Sequence, residues 1–201
     1  MKKKIHIYAL LQIIIICSFL GYWVENFYKL FTRGYIDNRF MFLPFLLGYG
    51  LFIIAVFLLI GTPKCYFPLM KKEFRIKSPF NILLYFIGMA VLVTIGEITL
   101  GTVVEKIGGF HYWDYTSIPL HITRYASVPT SLGFATIITL FMGLCIEPLY
   151  DFLQARLTSR AFKVATIVIC VLMAADFILS FAIMIATGER NALWKLQIFG
   201  K

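Results

Sequence analysis

The sequence is poor in charge. Only 14% of its 201 residues are Asp, Glu, Lys or Arg, and ten of these are acids. A soluble domain of this length needs more polar side chains to cover its surface. The stretches between apolar runs reach only about twenty residues, too short to bury a core of their own. A separate soluble catalytic domain is thereby excluded. Paired cysteines are also missing: Cys17, Cys65, Cys145 and Cys170 show no spacing typical of a disulfide framework or a zinc site. There is no G-x-x-x-x-G-K-[ST] phosphate loop, no G-x-S-x-G elbow, no low-complexity tract and no evident internal repeat. No small-x-small cleavage site follows Lys2-Lys3-Lys4 and the first apolar run, and Ile16 precedes Cys17 where a lipobox needs a small residue. That run is expected to be a retained first span.

What the chain does hold is apolar surface, with 60% of its residues hydrophobic. Five runs meet the roughly 20 residues that a bilayer core demands of a helix: about 5–28, 41–60, 80–105, 128–152 and 162–186. Continuous apolar runs rather than strict alternation argue for helices, because lipid gives an open backbone no hydrogen-bond partner. The expectation is an all-α, polytopic membrane helical bundle of about five transmembrane helices, forming one domain over 1–201. Ser78-Pro79 reads as the cap of the third span and Thr158 or Ser159 as that of the fifth.

The net charge of +9 comes from basic residues lying between apolar runs, as loop anchors do, so it points to the bilayer and not to nucleic acid. With five spans, eleven Lys and Arg fall on the N-terminal side and eight on the other. That bias predicts a cytoplasmic N-terminus and an extracytoplasmic C-terminus. The basic loop 71–77 reads chiefly as an attraction to anionic headgroups, and otherwise as a dock for a cytoplasmic partner.

Acids beside or within apolar runs are the candidates for chemistry, since an ionised carboxylate in hydrocarbon costs at least a few kcal/mol unless it faces protein or water. Glu25 ends the first span, and Asn38 and Arg39 precede the second. Glu97, Gly101 and Glu105 share one stripe of the third span at i, i+4 and i+8. The aromatic loop that follows carries His111, Trp113, Asp114 and Tyr115. The assumed topology brings all of these to one membrane face. There the acids would bind a cation or cationic headgroup, Arg39 would set their charge, and Trp113 and Tyr115 would wall the site. A structural ion pair is the competing reading. The loop itself reads as an interfacial aromatic belt or as a re-entrant cover. Asp176 is the one acid near the middle of a span, which makes it a functional or helix-packing candidate. Gly48, Gly50 and Gly101 are candidates for close packing. No cofactor is implied, and His111 and His121 are only weak metal candidates, lacking ligand spacing.

Ser18-Phe19-Leu20-Gly21-Tyr22 with Glu25, then Asn38-Arg39, Pro44 and Gly48-Tyr49-Gly50, resemble the N-terminal half of the bacterial ABC-transporter type IV family (CmpB-like). Glu97, Gly101, Glu105 and Trp113-Asp114-Tyr115 resemble its second half. The chain departs from that pattern at Phe40, where the family has glycine. The resemblance implies a multi-span permease-like component of the bacterial plasma membrane. Such a component requires a separate cytoplasmic ATPase subunit, and it admits a homo-oligomer. An intramembrane enzyme acting on a lipid or polyprenyl substrate, and a non-catalytic assembly or regulatory subunit, are the alternative readings.

Overall fold

The structure is a computed structural model that describes residues 6–64, 66, 67, 72, 73, 79–156 and 159–199. The N-terminal lysines, Ser78, Thr158 and most of the basic loop 71–77 lie outside the described residues. Among the described residues five helices carry the fold: α1 (Ile7–Arg33), α2 (Leu47–Leu59), α3 (Pro79–Gly108), α4 (Val128–Arg156) and α5 (Arg160–Thr187). The same described residues hold three short antiparallel pairs: β1 (Tyr35–Asp37) with β6 (Lys195–Gln197), β2 (Tyr66–Phe67) with β3 (Lys72–Glu73), and β4 (His121–Thr123) with β5 (Ala126–Ser127). The protein is an all-α membrane helical bundle, and four of the helices among the described residues are long and apolar enough to cross a bilayer.

The second expected span differs from the other four. Helix α2 begins at Leu47, not at residue 41, and its 13 residues rise only about 20 Å, against a hydrocarbon core of roughly 30 Å. Residues 38–46 are irregular because Arg39 and Phe40 both take left-handed backbone, at φ 50° and 66°, and Pro44 disfavours helix before it. The fourth span, by contrast, runs past its expected end to Arg156 and straight through Pro148. A π turn at Phe141–Cys145 precedes that proline. It widens the helix around the Leu144 carbonyl, which the proline ring would otherwise strike.

The chain forms two compact units. The first, Phe57–Pro148, packs α3 against the start of α4. Thr94 donates to Ser131 across them at 2.9 Å, and Ser127 caps α4 by accepting from the Thr130 amide. At the other end of this unit, Thr62 donates to Glu147 at 2.9 Å. The second unit takes in the residues up to Val56 and from Leu149 onward. There α1 packs on α5, with Gln12 donating to Thr166 at 2.5 Å, and Ala9 and Ile13 of α1 are fully buried. The outer flank of α5 is apolar and open, with Val171, Leu172, Ile178 and Leu179 all exposed, as a lipid-facing surface requires.

Candidate functional site

In the second unit, the last turns of α1 carry a sealed ionic cluster. Glu25 and Lys29 stand one helical turn apart, and the chain turns back at Gly34, a left-handed cap at φ 76° whose amide bonds Leu30. Strand β1 then brings Asp37 and Arg39 against the helix. Arg39 donates to Glu25 at 2.7 Å and lies 3.7 Å from Asp37, while Lys29 pairs with the other Asp37 oxygen. Tyr49 donates its phenol to the second Glu25 oxygen. Asn26, 1% exposed, accepts from the Asp37 amide, and Tyr22 donates to the Asp37 carbonyl. Two acids and two bases, with side chains only 10–19% exposed, make a neutral, closed arrangement. Asn38 is equally occupied: its amide nitrogen donates to the carbonyls of Met41 and Asn191, and its oxygen accepts from Leu193. Asn38 therefore pins the C-terminal segment beside β1.

Asp176 serves the irregular segment before α2. Its carboxylate accepts from the amides of Phe42 at 2.9 Å and Leu43 at 3.1 Å, and from Ser180 at 3.2 Å. The Leu46 amide goes to the Ser18 carbonyl at 3.0 Å. Broken backbone at membrane depth needs such partners from within the protein. The carboxylate, 7% exposed, supplies two of them at once. Gly50 fits the same junction, where an added Cβ would strike the Ile14 carbonyl. Gly48, expected to be close-packed, faces open space.

In the first unit, α3 presents Glu97, Gly101 and Glu105 along one stripe, as the spacing requires, and the aromatic loop folds back onto it. The Tyr125 ring lies where a Gly101 Cβ would be, and its phenol donates to Glu105 at 2.6 Å. His111 touches the same phenol at 2.8 Å, lies 3.5 Å from Glu105 and meets Arg124 on its other side. Tyr115 donates to Glu97 at 3.3 Å, and the Trp113 indole donates to the Tyr125 carbonyl at 2.9 Å. Asp114 accepts from the Thr116 amide and hydroxyl and lies 3.5 Å from Arg124. Those hydrogen bonds, the hydroxyl's first, and then the arginine hold its carboxyl below the usual aspartate range. This cluster is open: Glu105, His111, Arg124 and Asp114 side chains are 39–45% exposed.

The structure thus gathers Glu25 and Arg39 in one unit, and Glu97, Glu105, Trp113, Asp114 and Tyr115 in the other. The two metal candidates are not brought together: His111 lies between Glu105 and Arg124, whereas His121 sits on the exposed strand β4 against the Ile118 carbonyl. Among the described residues no three His, Cys, Asp or Glu side chains form a metal-holding group. Sequence reasoning missed Asn26, Lys29, Asp37, Tyr49, Arg124 and Tyr125. The spacing of Glu25 and Lys29 on α1 signals an ion pair. Tyr49 stands in the sequence only as part of the Gly48-Tyr49-Gly50 motif and nothing local marks Tyr125; both reach their glutamates only through the return of the chain.

No curated protein and no solved structure matches the chain. The family described as "Putative ABC-transporter type IV" matches residues 12–181. That match runs from the second turn of α1 into the second half of α5 and contains both carboxylate clusters and Asp176, and the chain belongs to this family.

Proposed function

We propose that the protein is the membrane-embedded, permease-like component of a transport system, and that the Glu105 cluster is where it meets a cation or a cationic headgroup. The observation that carries this reading is the contrast between the clusters. Glu25 is sealed against Arg39, while Glu105 and Asp114 are nearly half exposed and framed by Trp113 and Tyr115. A carboxylate kept reachable beside fixed aromatic rings suits recognition of positive charge; one closed on arginine suits a structural hinge. Glu97, which accepts from Tyr115 and has its other carboxylate oxygen buried, stands behind that open cluster along α3.

The C-terminal ends of α1 and α5 share the β1–β6 pair, so the chain makes an odd number of passes, and short α2 with its irregular approach completes one of them. The excess of Lys and Arg on the N-terminal side favours a cytoplasmic N-terminus, with Glu25 and Glu105 at the extracytoplasmic boundary of the plasma membrane. The chain has no nucleotide-binding loop, so coupling to ATP falls to a separate subunit.

Two measurements test this. Exposed Thr32→Cys and Ser117→Cys, introduced singly, react with a membrane-impermeant maleimide in intact cells; protection of either until permeabilisation removes the boundary site. Purification of the full chain in mild detergent brings down an ATPase subunit. If none appears, and Glu97→Gln cells instead accumulate an altered lipid, the protein is an intramembrane enzyme.

A further inference from the structure

Two stretches far apart in the chain carry the same short pattern: Leu20-Gly21-x-x-Val24-Glu25 in α1 and Leu100-Gly101-x-x-Val104-Glu105 in α3. Four identities in six positions mean little by themselves in apolar helices. Their surroundings correspond as well. In each copy the glycine has a tyrosine ring in the space of its absent Cβ, Tyr49 on Gly21 and Tyr125 on Gly101. In each, that tyrosine's phenol donates to the glutamate one turn further along the helix, Glu25 or Glu105. In each, the glutamate has a basic partner, Arg39 in one and His111 backed by Arg124 in the other. In each, the arginine also faces an aspartate of the returning loop, Asp37 at 3.7 Å or Asp114 at 3.5 Å.

The path of the backbone corresponds too. Both helices end on a left-handed glycine, Gly34 at φ 76° and Gly109 at φ 70°. After it the chain travels back along its own helix before the next one starts. In the first copy it returns to the level of Ser18, where Leu46 bonds the Ser18 carbonyl. In the second the level of Thr94 is reached one turn into α4, at Ser131. At 1.5 Å per residue these levels lie roughly 22–24 Å back along each helix. The copies differ in what stabilises the returning loop. The first pairs β1 with β6 from the C-terminal segment, and the second closes its own β4–β5 hairpin.

We infer that the chain is built on an internal repeat of helix, returning loop and helix, and that Tyr49, in the first turn of α2, and Tyr125, in the returning loop just before α4, are corresponding positioning residues, each latching the segment that follows its helix onto the Gly-x-x-x-Glu face of that helix. The requirement for glycine follows from ring contact, and the requirement for glutamate from the phenol. The two copies have diverged in exposure: the first latch is closed by Arg39, and the second is left half open around His111. The repeat is a property of the fold and holds whatever the protein carries.

The test is a pair of double-mutant cycles on the full chain in nanodiscs, read by amide hydrogen exchange. Tyr125→Phe is expected to speed exchange of the loop 110–127 amides by roughly tenfold or more, as loss of a hydrogen bond to a carboxylate should, and to leave 35–46 unchanged. Glu105→Gln gives the same pattern, and the double variant adds little to either. Tyr49→Phe and Glu25→Gln mirror this on 35–46 and spare 110–127. Phenylalanine keeps the ring on the glycine, so the fold is retained and the readout isolates the phenol. The inference is overturned if either tyrosine variant leaves its own loop unchanged, if the paired effects simply add, or if only one copy responds.

Discussion

Asp176→Ala offers the most direct measure of how the fold tolerates a broken second span. The Asp176 carboxylate holds the amides of Phe42 and Leu43, at 2.9 and 3.1 Å, and the Ser180 hydroxyl. Truncation to alanine leaves both amides without an acceptor where lipid and packed helices supply none. Each orphaned donor costs about 1–3 kcal/mol, so the pair costs about 2–6 kcal/mol. Ser180 adds little, because a helical serine can turn to the carbonyl four residues back. Removing a buried carboxylate recovers part of the cost of having desolvated it, which places the expectation in the lower half of that range. Asp176→Asn keeps one carbonyl oxygen and should fall between wild type and alanine. The assay is unfolding of the purified protein in detergent, with hydrogen exchange at residues 42–46 to locate the effect. An alanine variant as stable as wild type, with unchanged exchange there, would refute the claim that Asp176 secures the irregular segment.

Three further perturbations follow from named contacts. Phe40 holds left-handed backbone at φ 66°, which costs a side chain about 1–2 kcal/mol, while its buried ring lies under Lys29 and Arg190. Phe40→Ala loses the ring and keeps the strain, so Phe40→Gly should unfold about 1 kcal/mol later than Phe40→Ala, and the reverse order would argue against strain at this turn. Gly101→Ala drives a methyl into the Tyr125 ring and should cost about 1–3 kcal/mol. Gly48→Ala, facing open space in α2, should be neutral or slightly stabilising; equal losses at both positions would contradict the packing described. Asp114, whose carboxyl is held below the usual aspartate range, stabilises its loop fully above an ordinary aspartate pKa of about 4 and progressively less as pH falls through its lower folded value. Exchange at the Thr116 amide should therefore be insensitive to this group above about pH 4. Asp114→Asn should abolish the acid limb below that, and a limb that survives the substitution would assign it elsewhere.

The family resemblance and Phe40 show how sequence and structure divide the explanation. The resemblance leads to an expectation of glycine at that position, against which the sequence alone marks Phe40 as a departure. The left-handed φ supplies the reason for the glycine, and the ring's contacts with lysine and arginine side chains show what stands in its place here. The stripe of Glu97, Gly101 and Glu105 was legible because helical spacing is fixed by geometry. That Gly101 serves a tyrosine 24 residues further along the chain was not, because a returning loop leaves no period in the sequence. The same holds for Asp176: hydropathy identifies a costly acid in a span, but its partners are backbone amides that carry no sequence signature.

Sequence by itself determined that this chain lives in a bilayer as a helical bundle, because apolar length and scarcity of charge are properties of composition that no packing can reverse. It also determined which acids lie near apolar runs. Tertiary structure alone decided which of those acids are sealed and which stay open, that α2 is short and preceded by irregular backbone, and that each of two Gly-x-x-x-Glu faces receives a tyrosine. Those outcomes depend on where a loop comes to rest along a helix, which is fixed by long-range contacts and hydrogen bonds to the backbone rather than by the identity of neighbouring residues.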